Sequence, residues 1–196
     1  VEPVRVVYGN GDPAAPGGGI SVDHIVSFVE QHWGPNPTGW FTLDYEIPHF
    51  ERLRRGYEDL EDPEYLHTRD AFVNALREVK SRYPGTRWSV YGVPGQPLRF
   101  NIDGNSWTHM DVPAEVKAVR DAKHIAAMSP IIEECDWLSP TIYDRHDIRN
   151  APNPAHAAYV IENYRRRTVG SIQMCRALIA ASDRPDRPVM PYMNVL

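Results

Sequence analysis

The stretch Gly39-Trp40-Phe41-Thr42-Leu43-Asp44-Tyr45-Glu46 decides how the rest of the chain is read. Side chains of an extended strand alternate between its two faces. Read as a strand over residues 40–46, it puts Phe41, Leu43 and Tyr45 on an apolar face suited to packing under helices. Trp40, Thr42, Asp44 and Glu46 share the other face, so two carboxylates point into one interior at the strand's carboxyl end.

Working outward, short apolar runs alternate with helical periodicity. Residues 4–8 read as a strand, followed by a Gly/Pro loop and a helix capped by Ser21, with Ile25, Phe28, Val29 and either His32 or Trp33 facing inward. After residue 46 comes a long loop, then a helix in which Phe72, Leu76, Val79 and Tyr83 recur at helical spacing; Thr68 is its expected cap and Pro84-Gly85 its end. Residues 87–91 follow as a strand. Asp111 is the expected cap of the next helix, with Pro113 in its first turn and Val116, Val119 and Ile125 on one face. Residues 137–143 can be extended, Asn153-Pro154 opens a long helix to about residue 181, and residues 188–194 form the last strand.

Strict β-α alternation calls for a parallel sheet, because a crossover helix is what returns the chain to start a parallel neighbour. The fold class is α/β. Strand-to-helix connections are long (residues 9–20, 47–67, 92–110 and 144–151), whereas returns such as residues 84–86 are tight. In doubly wound sheets and (β/α)8 barrels alike, active sites lie at the carboxyl ends of the strands, where the elaborated loops fall here. A complete eight-stranded barrel takes about 250 residues. The 196 residues, with about five parallel strands and no composition break, are therefore expected to be one partial TIM-type barrel domain, residues 1–196, truncated at both ends.

Composition narrows the function classes. With 21 Lys+Arg against 26 Asp+Glu the net charge is −5, and nucleic acid has no obvious basic platform. No apolar run reaches the roughly 18 to 20 residues that cross a bilayer, so a soluble chain without membrane association is expected. The chain opens on Val1-Glu2-Pro3-Val4, without an initiator Met or an apolar leader, and localisation stays open. Cys135 and Cys175 suit one bridge or two buried thiols equally. No His pair has tight metal-ligand spacing, Pro16-Gly17-Gly18-Gly19 lacks the Lys-Ser/Thr of a phosphate loop, and neither metal nor cofactor is called for. The 18 prolines and abundant aromatics are compatible with carbohydrate binding.

Holding Asp44 and Glu46 both ionised in one hollow costs free energy, since like charge and desolvation each favour the protonated form of one partner. A general acid needs that arrangement. The structural alternative is that the two acids satisfy loop amides or pair with arginines.

The ordered segments Asp44-Tyr45-Glu46 with Pro48, Trp88-Ser89-Val90-Tyr91-Gly92-Val93-Pro94, Leu138-Ser139-Pro140-Thr141-Ile142-Tyr143 and Pro188-Val189-Met190-Pro191-Tyr192 resemble the strand motifs of the hyaluronidase family of glycoside hydrolases. Upstream, Val6-Val7-Tyr8-Gly9-Asn10 and the Gly17-Gly18-Gly19-Ile20 to His24-Ile25 stretch are also similar to that family. The resemblance implies a distorted (β/α) barrel, here without its first and closing strands, that cleaves N-acetylhexosamine-containing polysaccharide with retention in an extracellular or periplasmic setting. It also implies that Glu46 is the proton donor, that the substrate's own acetamido oxygen is the nucleophile, and that Asp44 orients and charges that acetamide. Tyr91 and Tyr143 are implied for the reducing-side pocket, Tyr143 toward the acetamide, and Tyr192 for substrate contact. Substrate-assisted cleavage fits the spacing, since it does not need carboxylates on opposite sides of the sugar.

The family's tryptophan-rich segment after D-x-E is replaced by Ile47-Pro48-His49-Phe50, its cysteine pattern is absent, and its closing-strand tryptophan has no counterpart. The chitinase-type D-x-x-D-x-D-x-E is broken at Gly39 and Thr42. Two further residues are candidates on their own chemistry. Asp144 could be the second carboxylate of a conventional glycosidase, or a partner of Arg145 or a helix cap. Trp107 could stack on a sugar or anchor its own loop. Beside the hydrolase stand two other readings: a non-catalytic carbohydrate-binding barrel, and a metal-dependent barrel enzyme such as a sugar isomerase.

Overall fold

The computed structural model describes residues 3–9, 20–55, 58–95, 114–142 and 152–191, the side chains of residues 46, 47, 51, 159, 163, 166 and 167 excepted. Strands β1 (Val4–Tyr8), β2 (Gly39–Asp44), β3 (Thr86–Gly92) and β4 (Ser139–Pro140) form a parallel sheet in the order β1-β2-β3-β4. A further parallel bridge joins Leu138 to Val189, with Leu138 N–H donating to the Pro188 carbonyl and Met190 N–H to the Leu138 carbonyl. Spatial order thus follows chain order, which is the winding of a barrel segment; a doubly wound sheet reverses direction at a switch point.

Helices α1 (Val22–Trp33), α2 (Glu51–Arg55), α3 (Pro63–Arg82), α4 (Ala114–Glu134) and α5 (Pro154–Ala180) fill the crossovers. Ser21 caps α1, its hydroxyl accepting the His24 N–H at 3.2 Å, and Asn153 caps α5 in the same way through the His156 N–H at 2.9 Å. Of the two inward candidates ending α1, Trp33 packs edge-on against Phe41, while His32 is exposed.

Several expected boundaries move. Thr68 does not cap α3: Asp62 does, accepting the Glu64 N–H at 2.7 Å, with Pro63 in the first turn, and Thr68 lies buried inside the helix. The Asp-Pro pair supplies both an N-cap acceptor and a pre-set φ, which outweighs a threonine one turn later. The loop expected over 47–67 holds a π-helical turn (Glu46–Phe50), α2 and the start of α3. On α4 the buried face is His124, Ala127, Met128, Ile131 and Ile132, whereas Val116 and Val119 are 51% and 61% exposed. The Asp111 cap lies outside the described residues. Within the described residues β4 is two residues long and Val189 makes a single bridge, while residues 143 and 192–194 of the expected strands lie outside them.

The sheet's outer face makes the core. Phe41 stacks on Trp88 with ring centroids 4.8 Å apart, and both join Leu43, Val7 and Val90 beneath Ile25, Val29, Phe72, Leu76, Met128 and Ile131. Each such side chain contributes roughly 1.5–3 kcal/mol by leaving water. At the amino end of β4, Asp136 accepts the Trp88 N–H and the Arg184 guanidinium, both at 2.9 Å, while Glu134 accepts Arg77 at 2.7 Å and Lys80 at 3.3 Å. These charges tie helix ends together on the side away from the strands' carboxyl ends. No described helix is long and apolar enough to cross a membrane.

Cys135 and Cys175 are two buried free thiols, and burial pushes them up to about 11 and about 12. A thiol reagent is expected to find neither in the native protein and both once it is unfolded; rapid labelling of a native thiol contradicts this burial.

His124, fully buried on α4, meets the Pro94 carbonyl through Nε2 at 3.0 Å. A carbonyl only accepts, so Nε2 carries the proton. Burial lowers the imidazole to about 4, against a backbone hydrogen bond to Pro94 that raises it. Because the folded value lies below the unfolded one near 6.5, His124 favours folding fully above pH ~6.5, and that support is lost as pH falls toward 4. Denaturant titrations across this window should show a stability slope of up to ~1.4 kcal/mol per pH unit from this group, reduced in His124→Gln. An unchanged slope in the variant refutes the assignment.

Candidate functional site

The register of the sheet builds the site. Tyr8 on β1 lies opposite Asp44 on β2, and Tyr91 on β3 lies opposite Ser139 on β4. Leu43 pairs with Val90, so the same register carried one residue further sets Asp44 level with Tyr91. Tyr8, Asp44, Tyr91 and Ser139 therefore form one row at the carboxyl rim, on the face turned away from the aromatic core. A carboxylate sits between two tyrosines. Tyr8 is 61% exposed, while Asp44 and Tyr91 are half-buried. An exposed phenol and a half-buried one beside a partly buried acid offer flat apolar area and hydroxyls to a polar ligand.

Strand β2 ends at Asp44, two residues earlier than the alternation assumed. The chain then enters the π-helical turn at Glu46, with Phe50 N–H donating to the Tyr45 carbonyl at 3.2 Å. The backbone of Glu46 thus opens that turn instead of continuing the strand, and its side chain lies outside the described residues. π-Helical turns are rare and concentrate at functional sites.

Two glycines seat the turn. Gly9 follows Tyr8 and Gly92 follows Tyr91, so the carboxyl ends of β1 and β3, which flank β2, both run through Val-Tyr-Gly, with Gly9 just past β1. A Cβ on Gly9 would lie 2.2–2.6 Å from the ring and hydroxyl of Tyr45. A Cβ on Gly92, whose φ is +79°, would lie 2.7 Å from the Phe50 ring. The aromatic side chains just before and at the end of the turn therefore occupy space that flanking strands leave empty. Gly9 also donates its N–H to the Asp44 carbonyl at 3.1 Å. Below the turn, Tyr45 meets Phe72 edge-on with centroids 6.2 Å apart, and buried His49 packs against Tyr45 at the same separation. Burial lowers the His49 pKa, and the charges of Arg52 and then His67 add to that effect.

Of the residues singled out by sequence, Asp44 and Tyr91 are brought together. Tyr143, Asp144, Trp107 and Tyr192 lie outside the described residues. Tyr8 was not among the candidates, although the repeated Val-Tyr-Gly pointed to it. Among the described residues no group of three or more His, Cys, Asp or Glu side chains is gathered as a metal site.

The chain is distantly similar in structure to hyaluronidase-like glycoside hydrolases. Against bee venom hyaluronidase in complex with a hyaluronic acid tetramer the TM-score is 0.53 at 14% identity, covering 97% of this chain and 67% of that one. Against a monoclinic crystal form of bee venom hyaluronidase the values are 0.45 and 16%, covering 87% of this chain and 55% of that one. No protein-family model and no curated protein matches the sequence. The likeness is one of fold: a four-stranded parallel sheet with surrounding helices, resembling part of a glycosidase barrel.

The glycine slots are directly testable. Gly9→Ala should destabilise the protein by about 1–3 kcal/mol in denaturant titration, because the added methyl meets a ring packed on both sides. Gly85→Ala, where the nearest atom to a new Cβ is a threonine methyl at 3.2 Å, serves as the control and should cost less. Equal effects at the two positions contradict the slot.

Proposed function

We propose that this chain is a retaining glycoside hydrolase acting on N-acetylhexosamine-containing polysaccharide by substrate-assisted catalysis. The observation that carries the reading is the rim row, in which Asp44 stands between Tyr8 and Tyr91 at the carboxyl ends of parallel strands. Active sites of barrel folds occupy that end. The fold likeness to a hyaluronidase supports the substrate class.

In this reading Glu46, at the first position of the π-helical turn, protonates the glycosidic oxygen as the bond to the anomeric carbon breaks. The acetamido oxygen of the same sugar attacks that carbon and gives an oxazolinium, whose positive charge Asp44 stabilises. Water then opens the ring, returning a proton to Glu46 and leaving the product with its original anomeric configuration. Tyr8 and Tyr91 flank the sugar. They supply stacking area on one side and hydroxyl contacts on the other.

Glu46→Gln should lower kcat by on the order of 10²–10⁴-fold, read as reducing ends released across a panel of amino-sugar glycans, while glycan affinity persists. A wild-type protein that binds these glycans and cleaves none refutes the hydrolase and favours the carbohydrate-binding barrel. A wild-type protein that neither binds nor cleaves them refutes both.

A further inference from the structure

One level below the rim row, the inward face carries a second row. Thr42 pairs with Ser89, and the register in which Ser139 pairs with Tyr91, carried two residues back, sets Trp137 level with Ser89. Thr42, Ser89, Trp137 and Ser139 are all fully buried. Beneath them Trp40 meets Trp137 edge-on with ring centroids 6.2 Å apart, and the Arg87 guanidinium lies 5.1 Å from the centroid of Trp40. Buried hydroxyls thus lie between an aromatic floor and the rim row.

The hydrogen bonds of this layer can be followed proton by proton. Ser139 has one hydroxyl proton and gives it to the Val90 carbonyl at 2.7 Å. Its contact with Ser89, 3.2 Å between hydroxyl oxygens, then requires Ser89 to donate. Of the other acceptors open to Ser89, the Val90 carbonyl at 3.5 Å is too long to compete, and the Cys135 sulfur, which also meets the Ser89 hydroxyl, is a weak acceptor. Ser89 is left able to accept. Among the described residues, Thr42 Oγ1 and Trp137 Nε1 have no hydrogen-bond partner. An indole N–H buried without an acceptor costs roughly 1–3 kcal/mol, and a hydroxyl a similar amount.

Two unpartnered donors and one available acceptor in this buried layer fit a single small ligand that both accepts and donates. We propose that this layer is an internal water site, in which one water accepts from Trp137 Nε1, donates to Ser89 Oγ and exchanges a hydrogen bond with Thr42 Oγ1. Three hydrogen bonds are the usual complement of a buried water. The proton order is then consistent from indole to water to Ser89 to Ser139 to the Val90 carbonyl. Such a water gives the floor under Asp44 a polar surface in place of the branched aliphatic layers that fill most barrel interiors. The inference does not depend on the catalytic reading, and it stands or falls on a non-enzymatic measurement.

Two experiments test it on the full chain. A crystal structure that resolves ordered solvent should contain a water within about 2.7–3.2 Å of Trp137 Nε1 and in reach of Ser89 and Thr42. An Nε1 packed against carbon, with no solvent density, overturns the proposal. The second is a thermal-denaturation cycle of Thr42→Val, Trp137→Phe and the double variant. Groups sharing one water are coupled, so the double variant should lose less Tm than the sum of the singles by more than about 1–2 °C. Additive losses overturn the shared ligand. If Trp137→Phe does not fold, Ser89→Ala takes its place in the cycle with the same two outcomes.

Discussion

The candidate site depends on a steric constraint: the two rings bracketing the turn after β2 fit only because the neighbouring strands carry no side chain where those rings lie. Tyr45 fills the space over Gly9 and Phe50 that over Gly92. Both contacts come from residues immediately following the rim tyrosines, so the same short Val-Tyr-Gly run delivers a rim phenol and then vacates room for the middle strand's continuation. Because interiors are packed at crystal-like density, a methyl at either glycine has nowhere to go without shifting a ring. The π-helical turn that begins at Glu46 is thereby held against strands on both sides, from which it takes its direction.

Support for this arrangement comes from the opposite face of the sheet. Phe41 between Trp33 and Trp88, and Tyr45 against Phe72, make a continuous aromatic layer under α1 and α3. The ion pairs of Asp136 and Glu134 gather at the other end of the strands, remote from Asp44. Stability and chemistry are divided by strand direction: packing and ion pairs on the outside and at the amino ends, an acid and two phenols at the carboxyl rim.

Much of the fold was legible because period-two and period-3.6 patterns are strong where one face is buried. The apolar alternation of Phe41, Leu43 and Tyr45 and the caps Ser21 and Asn153 were readable from residue type alone. The errors have local physical causes. Glu46 departs from the alternation because side-chain periodicity carries no signal for the point at which a turn with i to i−5 hydrogen bonds takes over. The Asp62-Pro63 start falls inside the stretch expected as loop, so the cap expected at Thr68 comes too late. Val116 and Val119 have helical spacing without burial, since α4 turns other residues, His124 among them, toward the core. Tyr8 needed the register: only the pairing of β1 with β2 reveals that it faces Asp44, although its repetition with Tyr91 was present in the sequence.

Two inward rows, one at the rim with an acid between phenols and one below it with buried hydroxyls and an indole, follow from a single register. Asp44 links them to the proposed chemistry, in which a carboxylate at that height meets a sugar's acetamide. The most direct measurement is the anomeric configuration of the first-formed product, followed by proton NMR during cleavage of an N-acetylhexosamine-containing oligosaccharide. Substrate assistance predicts retention, with the original anomer appearing first and mutarotating later; first appearance of the inverted anomer would contradict the account.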